Sequence, residues 1–218
     1  MGYIKAVLLA IVLLVVGFYS MVIALFRWGD PGLNQVFSRP FGYLCRKIIG
    51  IELKILHPEN GTIHRPAVIL GNHQSSMDLG IMWAACPLRT VIVAKKELKH
   101  IPIFGWFFVA AGNLLIDRSK TQDAKKQIAA MVKLMKEKNL NLAIFPEGTR
   151  NRHKRKADGT EGLGILPFKK GAFHLAVNTG FPLVPVVCSS LEGKAVWENF
   201  DLKGGKILIS VLEPIQTA

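Results

Sequence analysis

Cysteine is scarce in this sequence, and its distribution argues against two classes of protein. Only Cys45, Cys86 and Cys188 occur, far apart and without a CxxC pair or a Cys/His ligand spacing. An odd number of scattered cysteines indicates neither a disulfide-stapled secreted scaffold nor a structural zinc site. We therefore expect a reducing compartment, in which the three thiols serve as small buried apolar side chains.

Acidic side chains are also few, with 15 Asp and Glu residues against 28 Lys and Arg residues, for a formal net charge of +13. This surplus indicates an anionic partner, either nucleic acid or a phospholipid surface and its phosphate-bearing substrates. The basic run at residues 150–156, RNRHKRK, has no aromatic neighbours on which bases could stack. Because 50% of the residues are hydrophobic and the mean hydropathy is +0.30, we expect membrane phospholipid and no nucleic acid.

A single long apolar run marks where this lipid contact begins. Residues 6–26 carry no charge, and as a helix they would reach roughly 30 Å, the thickness of a bilayer's hydrocarbon core. A cleaved signal peptide would have a shorter apolar region and a small-residue cleavage site, whereas RWGDP follows here. We expect a retained anchor, and the basic residues after it predict that the rest of the chain lies on the cytoplasmic face.

The segment after Pro31 has an amphipathic pattern. Apolar residues at positions 37, 41, 44 and 48 are interleaved with Arg39, Arg46 and Lys47. The spacing is typical of a helix lying in the membrane interface, although a helix docked on the domain core would show the same pattern. Pro40 interrupts it, so a kinked helix, two short helices and one straight helix all stay open.

Past Gly50, short runs rich in β-branched residues alternate with longer helical patterns. The clearest helical pattern covers residues 122–138, with apolar residues on one face and lysines elsewhere. The alternation predicts an α/β fold with a mostly parallel central sheet flanked by helices. The candidate strands are residues 52–56, 67–70, 91–94, 114–116, 142–145, 183–187 and 206–212.

The sequence GNHQSSMD, residues 71–78, follows one predicted strand and precedes a helical pattern. His73 therefore lies at the carboxyl end of a strand, where ligands gather in open α/β sheets. If Ser75 caps the helix, Asp78 folds back toward His73 and can orient its imidazole to deprotonate a hydroxyl group. The same residues also form a variant of a capping box, in which Asp78 only interacts favourably with the helix dipole. The motif alone leaves both interpretations open.

Three further predicted strands end in charged residues. The turn FPEGTR, residues 145–150, exposes an acid and Arg150, and the segment GNLLIDR, residues 112–118, ends in Arg118. Lys95 follows the strand at 91–94. Cations at neighbouring strand ends favour a clamp for a phosphate monoester. A metal-dependent hydrolase is disfavoured, because no second histidine lies within these motifs.

Together these blocks resemble the glycerolipid acyltransferase superfamily, and in particular its bacterial 1-acyl-sn-glycerol-3-phosphate acyltransferases. Residues 72–78 match the family's motif of a histidine, four residues and an aspartate, and residues 112–118 resemble its second block. Residues 145–150 match the third block and VPVV at 184–187 resembles the fourth. One HxxxxD motif is a weak signal, but four ordered blocks over most of the chain are specific.

The resemblance implies transfer of an acyl group to the sn-2 hydroxyl of 1-acyl-sn-glycerol-3-phosphate, a lysophosphatidic acid, at the bacterial inner membrane. The donor would be an acyl carrier protein or coenzyme A thioester, with no cofactor and no metal. His73 would be the general base and Asp78 its partner. Residues 1–50 would form the membrane anchor and interfacial helix, and residues 51–218 the catalytic domain. The acceptor would be bound by Lys95, Arg118, Glu147, Gly148, Thr149 and Arg150.

Several alternatives stay open at this point. The acceptor could be another lysolipid or glycerol 3-phosphate, and the same basic cleft could serve a non-catalytic lipid-binding protein. The aromatic stripe at residues 101–108 could pack in the core, line an acyl tunnel or dip into the interface. The chain stops at Ala218, just after the last predicted strand, where many family members continue into a further helix. Either the sequence is truncated or that element is missing.

Overall fold

The computed structural model describes residues 2–61, 66–75, 78, 84–87, 89–117, 121–150, 164–191 and 202–217. Short 3₁₀ turns at Pro58–Gly61 and Lys96–His100 join some of its elements. The α-helices in this part of the chain are α1 (Gly2–Phe26), α2 (Leu33–Ile49), α3 (Phe104–Ala110), α4 (Thr121–Lys138) and α5 (Gly171–Thr179). The strands are β1 (Ile51–Leu56), β2 (Val68–Gly71), β3 (Thr90–Lys95), β4 (Leu114–Ile116), β5 (Asn141–Ile144), β6 (Leu183–Cys188) and β7 (Gly205–Val211).

These strands form one mixed sheet with the order β1-β7-β6-β2-β5-β3-β4. Every pairing between neighbours is parallel except that of β6 with β7. The predicted α/β architecture with a mostly parallel sheet is confirmed. Each predicted strand is present, with ends shifted by at most one residue.

Alternation along the central strands separates two cores, one on each face of the sheet. Ile69 of β2 packs with Cys45 and Ile49 of α2 on one face. Its neighbours Val68 and Leu70 pack on the other face, against Met131 and Met135 of α4 and Leu175 of α5. Since successive strand side chains point to opposite faces, both faces of β2 are apolar and buried, as expected of a central parallel strand.

Helix α1 presents small side chains, together with Leu9 and Val16, to the domain and most of its large apolar side chains outward. Gly17, Ser20 and Ala24 are buried, and Lys5 Nζ donates hydrogen bonds to the carbonyls of Ile49 and Leu202, at 3.0 and 2.9 Å. By length and composition α1 is able to cross a membrane, although these alone are weak evidence that it does. Its exposed large apolar side chains are Tyr3, Ile4, Val7, Leu8, Ile11, Leu14, Val15, Phe18, Tyr19, Val22, Leu25 and Phe26.

Helix α2 continues through Pro40 without a break. It packs on the rest of the domain through Phe37, Cys45 and Ile49, and it leaves Leu44 exposed. Part of the amphipathic pattern therefore belongs to the core. A lipid contact of the exposed side stays a prediction, as does the division of the chain at residue 50.

The aromatic stripe at residues 101–108 divides between core and surface. Phe107 and Phe108 are buried, whereas Trp106 is 61% exposed. The start of α3 lies against α1, where a Cβ on Gly17 would come within 2.7 Å of Ile103 Cγ2. The absence of a side chain at Gly17 therefore admits Ile103, and this contact joins α3 to the apolar N-terminal helix.

Candidate active site

Three predicted groups meet at one edge of the sheet. Strands β2, β5 and β3 are consecutive neighbours and run parallel, so their carboxyl ends lie together. His73 lies two residues after β2, the turn at 145–150 follows β5, and Lys95 is the last residue of β3. Ligands of open α/β sheets bind at this edge. Arg118 lies outside the described residues.

The His73 ring is held by Asp78. The imidazole Nδ1 lies 2.7 Å from Asp78 Oδ2, and the carboxylate side chain is 0% exposed while that of His73 is 23% exposed. An ionised carboxylate only accepts hydrogen bonds, so Nδ1 carries the hydrogen and Nε2 keeps a free lone pair. This arrangement leaves Nε2 able to take a proton from a hydroxyl group.

Asp78 also caps the chain that carries His73. The same Oδ2 atom accepts the backbone N–H groups of Gln74 and Ser75, at 2.7 and 3.0 Å. The bond from Ser75 is the one expected in a capping box. One carboxylate oxygen therefore makes both the contact with the imidazole and the capping bonds, so the structure is compatible with both interpretations of the motif. Both sets of bonds fix the position of the imidazole relative to its own backbone.

The turn after β5 holds His73 from a second direction. The Phe145 ring stacks on the imidazole, with centroids 4.3 Å apart and planes inclined by 16°. Glu147 is 3% exposed, and its Oε1 atom accepts the backbone N–H of His73 at 2.6 Å. Its Oε2 atom accepts the N–H of Leu166 at 2.9 Å. The resemblance implied that Glu147 binds the acceptor. In the structure, both oxygens of its carboxylate accept backbone N–H groups, one of them that of His73.

Two amide side chains that the sequence did not single out fasten the His73 segment to β6. Asn72 exchanges hydrogen bonds with the backbone N–H and carbonyl of Cys188, at 2.8 and 2.9 Å. Gln74 donates to the carbonyls of Cys188 and Ser189 and accepts the N–H of Leu191. Their positions on either side of His73 in the motif were the signal from which a role in holding this segment could have been predicted. They extend the β2–β6 pairing by side chains where the strands end.

The two described cysteines with buried thiols in this part of the fold, Cys188 and Cys86, are poorly suited to act as nucleophiles themselves. Burial, together with the nearby Asp78 charge, raises the pKa of the Cys188 thiol to about 12, and burial raises the pKa of Cys86 to about 12. A thiol with such a pKa stays protonated near neutrality and is unreactive. Ser75 is 4% exposed.

Fold and site together are those of an α/β protein with a His–Asp pair at the strand ends, beside a turn that carries Glu147 and Arg150. The chain belongs to the acyltransferase family. That family's sequence profile, described as Acyltransferase, matches residues 52–189, which include His73, Asp78 and the 145–150 turn.

Three relatives share the name 1-acyl-sn-glycerol-3-phosphate acyltransferase. The protein of Haemophilus influenzae is 34% identical over 88% of this chain and 75% of its own length. The protein of Saccharomyces cerevisiae is 33% identical over 99% of this chain and 69% of its own length. The protein of Escherichia coli is 32% identical over 92% of this chain and 77% of its own length. The crystal structure of the 1-acyl-sn-glycerophosphate acyltransferase PlsC from Thermotoga maritima superposes with a TM-score of 0.72, at 21% identity, over 100% of this chain and 88% of that one. This last likeness concerns the fold.

Proposed function

We propose that this chain acylates the sn-2 hydroxyl of 1-acyl-sn-glycerol 3-phosphate and so makes phosphatidic acid. The observation that carries the proposal is the 2.7 Å contact between His73 Nδ1 and Asp78 Oδ2 at the carboxyl end of β2. Relatives at 32–34% identity that are named for this acceptor support the choice of substrate. The acyl donor is a thioester of acyl carrier protein or coenzyme A.

In the proposed reaction, His73 Nε2 takes the proton of the acceptor hydroxyl while Nδ1–H remains bonded to Asp78. The hydroxyl oxygen bonds to the thioester carbonyl carbon and forms a tetrahedral intermediate. Its collapse breaks the carbon–sulfur bond, and the imidazolium returns its proton to the leaving thiolate. The buried Asp78 carboxylate stabilises the imidazolium between these two steps. No acyl-enzyme forms in this scheme, so two-substrate kinetics are sequential.

The acceptor phosphate is bound by Lys95 and Arg150 at this edge of the sheet and by Arg118, with Gly148 and Thr149 of the turn beside it. This clamp holds the sn-2 hydroxyl near Nε2, and such positioning converts binding energy into rate. Glu147 serves the same site differently, as a positioning residue whose carboxylate fixes the His73 backbone. The stacked Phe145 ring limits the tilt of the imidazole.

The enzyme acts at a membrane, on the cytoplasmic face. The apolar outer surface of α1 supports the membrane contact, and the net charge of +13 favours an anionic phospholipid surface. Both substrates carry acyl chains, so a surface-bound enzyme would meet them where they are concentrated.

Purified protein in mixed micelles should be assayed with a panel of acceptors and thioesters, with the products identified by mass. The panel contains 1-acyl-sn-glycerol 3-phosphate, lysophosphatidylcholine, lysophosphatidylglycerol and glycerol 3-phosphate, each with acyl carrier protein and coenzyme A donors. We expect phosphatidic acid as the main product. Preferred acylation of a different acceptor would replace the proposed substrate, and the absence of any transfer would refute the enzyme activity.

A further inference from the structure

A lysine outside all four sequence blocks lies across the FPEGTR turn. The Cδ, Cε and Nζ atoms of Lys169 lie 3.1, 3.0 and 3.0 Å from the point where a Cβ of Gly148 would be. Its backbone N–H also donates to the Pro146 carbonyl at 2.9 Å. The side chain therefore crosses the turn at the one residue that has no side chain of its own.

Two backbone features hold Lys169 there. Gly148 has φ +71°, in the left-handed region, and its N–H donates to the Phe145 carbonyl at 3.0 Å to close the turn. The segment before Lys169 is tied to the same turn, because the Leu166 N–H donates to Glu147 Oε2. A residue larger than glycine at position 148 would strain the turn and meet the lysine stem. The turn and the lysine thus form one unit.

The charges around Lys169 leave its ammonium group available for an anion. Glu147 is the acid nearest to it in this unit, but both oxygens of that carboxylate accept backbone N–H groups. Lys169 takes part in none of the ion pairs between described residues. Arg150 follows two residues further along the same turn. Together with Arg150, this second cation favours a doubly charged phosphate monoester.

We infer that Lys169 is a further binding residue for the phosphate group of the acceptor, carried over the FPEGTR turn by the 164–170 segment. The inference rests on the proposed function. The same turn holds His73 through Glu147, so phosphate bound above Gly148 lies beside the catalytic histidine. In 1-acyl-sn-glycerol 3-phosphate only a few bonds separate the phosphate from the sn-2 hydroxyl. The same short turn would therefore position both the phosphate and, through His73, the sn-2 hydroxyl of the acceptor.

The test is Lys169→Met, which keeps the apolar stem over Gly148 and removes the charge. The matched control is Lys170→Met, which removes an equally exposed lysine at the start of α5. We expect the KM for 1-acyl-sn-glycerol 3-phosphate to rise about tenfold in Lys169→Met, the loss typical of one charge-assisted hydrogen bond, with kcat within about twofold. Lys170→Met should match the wild type, and Lys169→Arg should restore most of the affinity.

A second readout separates phosphate binding from packing. Inorganic phosphate should inhibit the wild type competitively against the acceptor, and its inhibition constant should rise in Lys169→Met but not in Lys170→Met. Equal KM values in the two methionine variants would overturn the inference, as would a fall in kcat with the acceptor KM unchanged. Failure of the proposed function is distinct, because the wild type would then acylate no lysophosphatidate at all.

Discussion

The outer face of α1 and the edge of the sheet at β2 both depart from the usual pattern of buried apolar and exposed charged side chains. The first exposes apolar residues, and the second buries charged ones. On α1 most of the large apolar residues are exposed, while Gly17, Ser20 and Ala24 are buried together with Leu9 and Val16. At the sheet edge two carboxylates, those of Asp78 and Glu147, are almost completely buried. Exposed contiguous apolar surface and buried charge are each costly in water unless a partner compensates. For α1 we propose that this partner is lipid, whereas the carboxylates are hydrogen-bonded to the imidazole and to backbone N–H groups.

The largest effect expected from breaking either region is the loss of the base. His73→Ala should lower turnover by a factor of about 100 or more, because general-base catalysis is typically worth at least that much. The assay is initial rate with saturating acceptor and thioester, and circular dichroism checks the fold. His100→Ala, an exposed histidine outside the site, is the control. Turnover near the wild-type value would remove His73 from the chemistry.

Asp78→Asn tests a carboxylate that both orients the base and caps a helix. We expect turnover per folded molecule to fall about 100-fold, because the amide no longer stabilises the imidazolium. Stability should also fall, by about 1 kcal/mol, since the N–H groups of Gln74 and Ser75 lose a charged acceptor. Turnover and urea unfolding should be measured on the same preparation. A stability loss without a change in rate per folded molecule would leave only the capping role.

Glu147→Gln tests the proposal that this carboxylate positions His73. An amide can accept only one of the two backbone N–H bonds with its oxygen, so the His73 segment should shift. We expect kcat to fall about tenfold while the acceptor KM changes by less than twofold. Glu137→Gln, an exposed change on α4, is the control. A large rise in acceptor KM would instead assign Glu147 to direct contact with the acceptor.

Gly17→Leu should affect the packing of α1 more than the chemistry. A side chain at this position would collide with Ile103, and overpacking of this kind costs about 1–3 kcal/mol. The unfolding midpoint in detergent should fall, while kcat in the folded fraction stays within about twofold. Ala10→Leu adds similar volume on the exposed face and should leave the midpoint unchanged. Equal stability of the two variants would show that α1 does not dock on α3.

Introducing charged residues on the outer face of α1 should have the smallest effect on catalysis of all these changes. Leu14→Glu with Phe18→Glu places two acids on residues that are 55% and 68% exposed. Vesicle flotation should show much weaker binding to anionic lipid, because burying an unpaired charge in the hydrocarbon core is costly. Turnover of a short-chain acceptor below its micelle concentration should change by less than twofold. Unchanged flotation would locate the membrane contact elsewhere.

Part of the site could be predicted because it is local. Ser75 and Asp78 lie only two and five residues after His73, so motif spacing alone allowed a His–Asp bond. The new role of Glu147 was not readable, because a glutamate in a turn resembles a solvent-facing acid. Lys169 gave no signal either, since two lysines before a helix usually form a solvated surface. Their contacts with His73 and Gly148 arise only when β2, β5 and the 164–170 segment are brought together.

The amino-acid sequence by itself determined the apolar α1, the seven strands of a mostly parallel sheet and a spacing that permits the His–Asp bond. Each follows from hydrophobic periodicity or from spacing over a few residues. Only the tertiary structure decided the strand order, the contacts of His73 with Phe145 and Glu147, and the hydrogen bonds between the Asn72 side chain and the Cys188 backbone. Glu147 lies 74 residues from His73, and Cys188 lies 116 residues from Asn72. Contacts over such separations depend on which strands become neighbours, and packing of the whole core selects that arrangement.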